Sequence, residues 1–498
     1  MRCFCFRRRS SLTLLLLGTL LVCLYPVTQL MTDKGPRAKL ALTGRYNDYV
    51  KVVEDLKKSE KTNEWVPKRL EEMGTTGNIT LLNQNAAVAK LSDKKFSHEQ
   101  FTKHFNDPAK PNWLFSKWLQ SAKVRCDGKF TGYGGEFANV TDVVLDNGLL
   151  IGQKGGEDFG ELIYQREDDE FFKFNVGYIR QDCKALPVYR FNNNNHLNKI
   201  MTSYANTLPS SVDGYRDEIF LAITRYEYVN LYHTMTDFYN AFLVMTFFNL
   251  TQAQTNILFV DGHPWGSLDP VWSTLFNSYE RAGRIGTRTK FKNLILGYMG
   301  YNSPLFTGMS DSSMINLPLS EEFREFFLTS YDVPYDKKLD CNKLNILFIW
   351  RRPYIAHPRN PSGDVHRKIK NEDEVLMSLR RAYPTWKIVG AQTDALAMKD
   401  QLQLASQADI MIGMHGAALS LTMMLPKHAA LVELMPNYIT PEWKKHFIVM
   451  AKWRGLIYKT WYNKNASLEL PNHYTIVPPL LIKQMVSDIY KQMCSLPS

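Results

Sequence analysis

The hydrophobic positions of this chain fall into three rhythms. An almost unbroken apolar run extends from Leu12 to about Leu30. From about Asp33 to Lys110 apolar residues are sparse among charged ones, and only weak helical stretches such as YVKVVEDLKKSE stand out. From Pro111 onward short apolar blocks alternate with amphipathic ones. The segments around Asp142 to Ile151 and Phe171 to Val176 read as strands, decorated with turns such as GYGGE and QKGGED. At Leu221 the rhythm changes: LAITRYEYVNLYHTMTDFYNAFLVMTFF begins as a strand and continues as a helix, and NILFVDG follows as a strand buried on both faces. DPVWSTLFNSY predicts a further helix, with Asp269 as cap and Pro270 at its first position. Strand, helix and strand in this order imply a parallel sheet with a crossover.

The pattern breaks at Ser330 to Asp340, SYDVPYDKKLD, which reads as a linker. Beyond it the alternation is regular: NILFIWRR, KNEDEVLMSLRRAYP, WKIVG, MKDQLQLASQA, ADIMIG, GAALSLTMML and AALVEL are strand and helix in turn. Such a series predicts a doubly wound α/β domain. The terminal VPPLLIKQMVSDIYKQM is helical. Length supports two main domains, because 498 residues exceed what one hydrophobic core usually serves. The division read from these breaks is a cytosolic tail at 1–10, a transmembrane signal-anchor at 11–30, a stem at 31–110, an acceptor-side domain at 111–335 and a nucleotide-sugar domain at 336–498.

The anchor follows from Arg2, Arg7, Arg8 and Arg9 standing before the apolar run, which is long enough to span a bilayer and ends in Leu24, Tyr25 and Pro26 without a small-x-small cleavage site. With the arginines cytosolic, the rest of the chain is lumenal. Cysteine usage agrees. Outside the anchor region lie Cys126, Cys183, Cys341 and Cys494, an even number without metal-ligand spacing. Three pairings are open; Cys126 with Cys183 and Cys341 with Cys494 is preferred, because each then closes within one domain. Sequons at Asn78, Asn139, Asn249 and Asn465 fit the same compartment, with Asn249 expected to be too buried for a glycan. The net charge of +11 suits a diphosphate-bearing substrate, and no zinc-finger spacing or basic recognition helix supports nucleic acid.

Three clusters carry candidate chemistry. In ADIMIGMHGAALS a buried strand ends in a turn holding His415, Gly416 and Ala417, at the carboxyl edge of a sheet where a diphosphate can meet backbone N–H groups. Glu433, on the next strand, is positioned to accept two ribose hydroxyls. In WRRPY, Arg351 and Arg352 stand at a strand end, where a guanidinium binds phosphate and stabilises a departing nucleoside diphosphate without requiring a divalent cation; Arg351 is preferred. The loop after it adds His357, Arg359 and Arg367. In YHTMTDFYN, His233 and Asp237 share a helix face, and either can serve as the base that takes an acceptor hydroxyl's proton. No G-x-S-x-G, H-E-x-x-H, G-x-x-x-x-G-K-[ST] or G-x-G-x-x-G pattern supports a hydrolase, zinc protease, kinase or dehydrogenase, and no metal site is expected.

At these clusters the chain resembles glycosyltransferase family 61, most nearly its plant-type N-glycan core β-1,2-xylosyl branch. The likeness rests on RYEYVNLYHTMTDFYNAFLV, ILFVDGHPWGSLDPVWSTLF, LGYMGYNSPLFTG, FIWRRPYIAHPR, ADIMIGMHGAALS and AKWRGLIY, which together span Arg225 to Tyr458. The resemblance implies an inverting, Golgi-resident, single-pass type II enzyme with a GT-B-like pair of Rossmann-type domains facing a cleft. It further implies UDP-xylose as donor, no tightly bound cofactor, and N-glycosylated proteins as acceptors through their core β-mannose. Carried over residue by residue, His415 and Gly416 form the donor turn, Arg351 the strand-end arginine, Glu433 the ribose-side acid, and His233 with Asp237 the acceptor side. One departure is the turn itself, GMHGAALS here against a common GAHGAGL, with Met414 and Ala418 at the variable positions. Alternatives within the same reading are a UDP-N-acetylglucosamine-dependent transferase and a non-catalytic Golgi glycan-binding or scaffold protein.

Overall fold

The computed structural model describes residues 113–495, apart from 159, 161, 163–165, 185–196, 298–299, 310–313, 315 and 441–444. The expected anchor, the whole stem, Asn78 and the NNNN run lie outside the described residues. Among the described residues, no helix is long and apolar enough to cross a membrane.

Helix α1 (Trp113–Gln120) leads into a nine-stranded mixed sheet. Its strands are β1 (Ala122–Arg125), β2 (Phe130–Tyr133), β3 (Phe137–Asp146), β4 (Ile179–Gln181), β5 (Tyr204–Ala205), β6 (Gly214–Ile223), β7 (Thr255–Phe259), β8 (Ser278–Arg281) and β9 (Arg288–Leu296). The main path runs β1-β2-β3-β9-β6-β7-β8, with β4 on β3 and β5 on β4. Strands β9, β6, β7 and β8 are mutually parallel, and β3 joins β9 antiparallel. The crossover between β6 and β7 is α2 (Leu231–Phe247), and α3 (Asp269–Leu275) precedes β8. Asn230 starts α2 by accepting the Tyr232 N–H at 3.1 Å, which satisfies one of the orphan donors of the first turn.

After α4 (Ser320–Ser330) the chain enters a five-stranded sheet made of β10 (Asn345–Ile349), β11 (Lys387–Ala391), β12 (Ile410–Met414), β13 (Ala430–Met435) and β14 (Ile457–Tyr462). All neighbours are parallel, in the order β11-β10-β12-β13-β14. Helices α5 (Glu372–Ala382), α6 (Met398–Ser406), α7 (His446–Trp453) and α8 (Pro479–Cys494) flank it. The segment after β12, expected as an α-helix, is instead a 3₁₀ helix over Ala417–Met424.

Strand alternation explains why the apolar blocks are continuous. Leu347, Ile349, Met411 and Leu431 face a layer that also contains residues of α2, α3, α4, α6 and α7, together with Ile223, Ile257 and Ile295 of the first sheet. Their neighbours Ile346, Phe348, Ile410, Ile412, Val432 and Leu434 face the other way, onto Val375 and Leu379 of α5 and Ile482, Val486 and Ile489 of α8. A strand covered on both faces holds apolar side chains, or a polar one only where a partner satisfies it, as at Glu433. The two sheets thus share one apolar layer, and burying that much apolar surface is the main stabilising term. The aromatic density near Trp113 belongs to this core: Trp118 packs edge-on against Phe137 and Phe247.

Both disulfides form as preferred, Cys126 with Cys183 and Cys341 with Cys494, the second tying the start of the second half to the end of α8. The expected burial of Asn249 is corrected: the residue is exposed at the end of α2, with φ of 53°. Asp269 is the first helical residue of α3 and does not cap it; its carboxylate has longer-range partners.

Candidate active site

In the second sheet, β10 comes first in the chain, yet β11 lies on one side of it and β12 on the other. The chain therefore winds away in both directions from the gap between β10 and β12, and the loops leaving their carboxyl ends diverge there. That divergence opens a crevice, the usual binding place in open parallel sheets. The loop after β10 begins at Trp350 and Arg351; the turn after β12 is His415 and Gly416.

Arg351 lies directly over Gly416. A Cβ added to Gly416 would be 2.8 Å from Arg351 Cζ and closer still to Nη1, so the missing side chain is what admits the guanidinium. Arg351 Nε donates to the His366 carbonyl at 3.0 Å. The next residue, Arg367, has a left-handed backbone, φ 64°, and its N–H donates to the Tyr438 hydroxyl at 3.1 Å. Its Nε is buried without a partner. Burial, and then the charge of Arg351, push Arg367 down to about 10, and burial lowers Arg351 as well. Among the described residues neither guanidinium has a carboxylate at bonding distance, and Asp394 acts on Arg351 only at longer range. Two desolvated cations in each other's field are costly unless an anion joins them, so this pair is built to receive one. Arg352 is separate: it turns outward to an ion pair with Glu372 of α5, with Nε 2.9 Å from Oε2.

His415 is held by a buried acid. Its Nδ1 is 2.5 Å from Glu433 Oε1, and the Tyr458 hydroxyl donates to Glu433 Oε2 at 2.6 Å. Glu433 is fully buried, and each of its oxygens has a protein partner, His415 or Tyr458. Its geometry orients the imidazole, and Nε2 of His415 has no hydrogen-bond partner among the described residues. Ala417, half-buried, opens the 3₁₀ helix.

The first half presents its own divergence, between β6 and β9, and α2 starts beside it. His233 lies in the first turn of α2, flanked by the rings of Tyr226 at 4.6 Å and Tyr232 at 5.1 Å. Among the described residues its ring has no hydrogen-bond partner; burial pushes it down to about 4, against the pull of Glu227. It is a neutral imidazole. Asp237, one turn further, is fully buried, and burial raises its carboxyl well above the usual range against the Tyr226 N–H and Arg225. It packs against Gly300, whose added Cβ would be 2.6 Å from Oδ1. The shared helix face of His233 and Asp237 is real, but only His233 borders the surface.

The two clusters meet through aromatic rings. Tyr232 is 5.0 Å from His446 and 6.0 Å from Phe447, and His415 is 6.3 and 5.2 Å from the same two rings. The start of α2 and the glycine turn therefore stand on one aromatic cluster at the N-terminus of α7.

Sequence reasoning missed a buried ionic network behind the first cluster. Arg225 donates to both oxygens of Asp261, at 3.1 Å from Nε and 2.7 Å from Nη2, and to Asp269 at 2.7 Å. Asp269 also pairs with Arg281, and His263 joins Glu170 at 2.8 Å. The usable signal was the charge inside apolar surroundings: Arg225 and Asp261 each follow a strand buried on both faces, where a charge survives only if paired. No group of three or more His, Cys, Asp or Glu side chains converges as a metal site among the described residues.

Two arginines and a histidine turn thus stand together at the switch point of a parallel sheet. The model of the glycosyltransferase 61 family matches residues 231–432, a match that supports transferase activity. Among curated relatives, it is 27% identical to β-1,2-xylosyltransferase RCN11 of Oryza sativa subsp. japonica, over 68% of each chain. It is 29% identical to β-1,2-xylosyltransferase of Arabidopsis thaliana, over 56% of each. With EGF domain-specific O-linked N-acetylglucosamine transferase of Drosophila melanogaster it shares 28% identity, over 47% of this chain and 44% of the relative. The chain thus spans little more than half the length of the Arabidopsis protein and less than half of the fly protein.

Proposed function

We propose that the chain is an inverting β-1,2-xylosyltransferase that moves xylose from UDP-xylose to the core β-mannose of N-glycans, as a GT-B-like enzyme. In this reading residues 111–335 form the acceptor side and 336–498 the donor side, with two Rossmann-type halves facing each other. Residues 11–30 anchor the protein in the Golgi membrane, 31–110 are the stem, and the catalytic part is lumenal. The observation that carries the proposal is the pair Arg351 and Arg367 beside the His415 and Gly416 turn, two cations with no carboxylate at bonding distance among the described residues. They neutralise the leaving UDP, which is the charge that grows most in the transition state. His415, oriented by Glu433, hydrogen-bonds the donor. His233 borders the acceptor hydroxyl, and Asp237 and Gly300 fix the start of α2. The names of the two plant relatives support xylose; that of the fly relative supports N-acetylglucosamine as the second reading.

The test is to incubate the purified protein with UDP-xylose, UDP-N-acetylglucosamine and other UDP-sugars and with defined N-glycans, following products by mass. A pentose added to a core mannose is expected. Transfer of N-acetylglucosamine without pentose transfer rejects the xylosyl assignment, and no transfer from any donor rejects the enzyme reading.

A further inference from the structure

The loop Thr224–Asn230 joins β6 to α2 at the carboxyl edge of the first sheet, and Glu227 lies on it, four residues before the family match begins. Glu227 Oε1 accepts the Tyr228 N–H at 2.8 Å, which fixes the carboxylate to its own loop. From the second half, Arg359 Nη2 lies 3.4 Å from Oε2 and His357 Nε2 lies 3.8 Å from Oε1. These partners belong to the chain that leaves β10, the same segment that begins with Arg351. Glu227 therefore stands where the two halves approach, within the electrostatic reach of His233 on one side and of Tyr354 on the other.

Of the carboxylates around this seam, the side chains of Glu170 and Asp261 are 0% exposed and that of Asp269 is 1% exposed, all in the ionic network. Asp237 is fully buried, and Glu433 is held by His415 and Tyr458. The Glu227 side chain keeps 16% of its surface open. Burial opposes its ionisation, but His357, the Tyr228 N–H, His263 and Arg359 outweigh burial and hold it below the ordinary carboxylate range. It is an anion beside a neutral imidazole.

We infer that Glu227 is the general base of the transfer, taking the proton of the acceptor hydroxyl while His233 orients that hydroxyl. The inference rests on the transferase reading above. As the acceptor oxygen forms its bond to the anomeric carbon, its proton passes to the Glu227 carboxylate. The bond from the anomeric carbon to the phosphate oxygen breaks, and its electron pair leaves on UDP between Arg351 and Arg367.

The test uses Glu227→Gln, which keeps the size of the side chain and an acceptor for the Tyr228 N–H. A lost base lowers kcat by about 10²- to 10⁴-fold, with UDP affinity and the donor KM unchanged. A mere tether between the halves would act differently, weakening UDP binding because Arg351 and Arg367 flank the tethered segment. Unchanged kcat in folded Glu227→Gln overturns the inference, as does a loss confined to KM and UDP affinity. If that variant fails to fold, Glu227→Asp decides: it keeps the charge but withdraws the carboxylate by one methylene, so kcat is expected to fall in a protein that still binds UDP, and wild-type kcat overturns the inference. Absence of transfer by the unmodified protein would instead reject the transferase reading, so the two failures are distinct.

Discussion

Substituting Gly416→Ala isolates the contact on which the donor site depends. The backbone there has φ and ψ both at 168°, extended geometry that alanine adopts without strain. The fold therefore has little reason to object. The new methyl would lie 2.8 Å from Arg351 Cζ, whereas ordinary contact begins at 3.4 Å, so the guanidinium must retreat by at least 0.6 Å. A shift of that size spoils a charge-assisted hydrogen bond, and bonds to charged groups contribute about 1.5–3 kcal/mol each. At about 1.4 kcal/mol per factor of ten, UDP affinity falls roughly 10- to 150-fold. Titration calorimetry with UDP measures this directly, and a thermal midpoint within about 4 °C of the parent shows that the fold is intact. The expected pattern is weaker UDP binding in a stable protein. Unchanged UDP affinity in folded Gly416→Ala would refute the placement of the diphosphate at Arg351.

Two further predictions concern the first half. Asp261→Asn breaks the bidentate pair with Arg225 and leaves a buried guanidinium undercompensated; the expected cost is about 3–5 kcal/mol, read by denaturant unfolding. A loss under 1 kcal/mol would show that the network relaxes around the change. Burial raises the Asp237 carboxyl well above the ordinary range in the folded protein, so it keeps its proton to higher pH than in the unfolded chain. Above that ordinary value the native state binds more protons than the unfolded one, so stability falls as pH rises. Asp237→Asn removes this slope: the variant should match the parent near pH 4 and exceed it at pH 8, and equal pH slopes would contradict the burial argument.

The sequence carried the fold further than the site. Blocks such as NILFI and IMIGM are read correctly because a strand covered on both faces favours apolar residues, and that rule acts within a few neighbouring positions. The helix of YHTMTDFYN and the turn at His415 were legible for the same reason. The 3₁₀ form of Ala417–Met424 was not, since a short apolar run satisfies either helix geometry and packing decides between them.

Roles that depend on partners far along the chain required the tertiary structure. Nothing near Glu433 in the sequence indicates that His415 and Tyr458 occupy its oxygens, and nothing near Arg351 shows that its neighbour is Arg367 rather than Arg352. Glu227 meets Arg359 across 132 positions. By itself the sequence determined the alternating elements, the family resemblance and a preferred disulfide pairing. Only the folded chain decided which charges are cancelled and which remain open to a ligand, because electrostatic partnership depends on distance through space, and local pattern does not encode that distance.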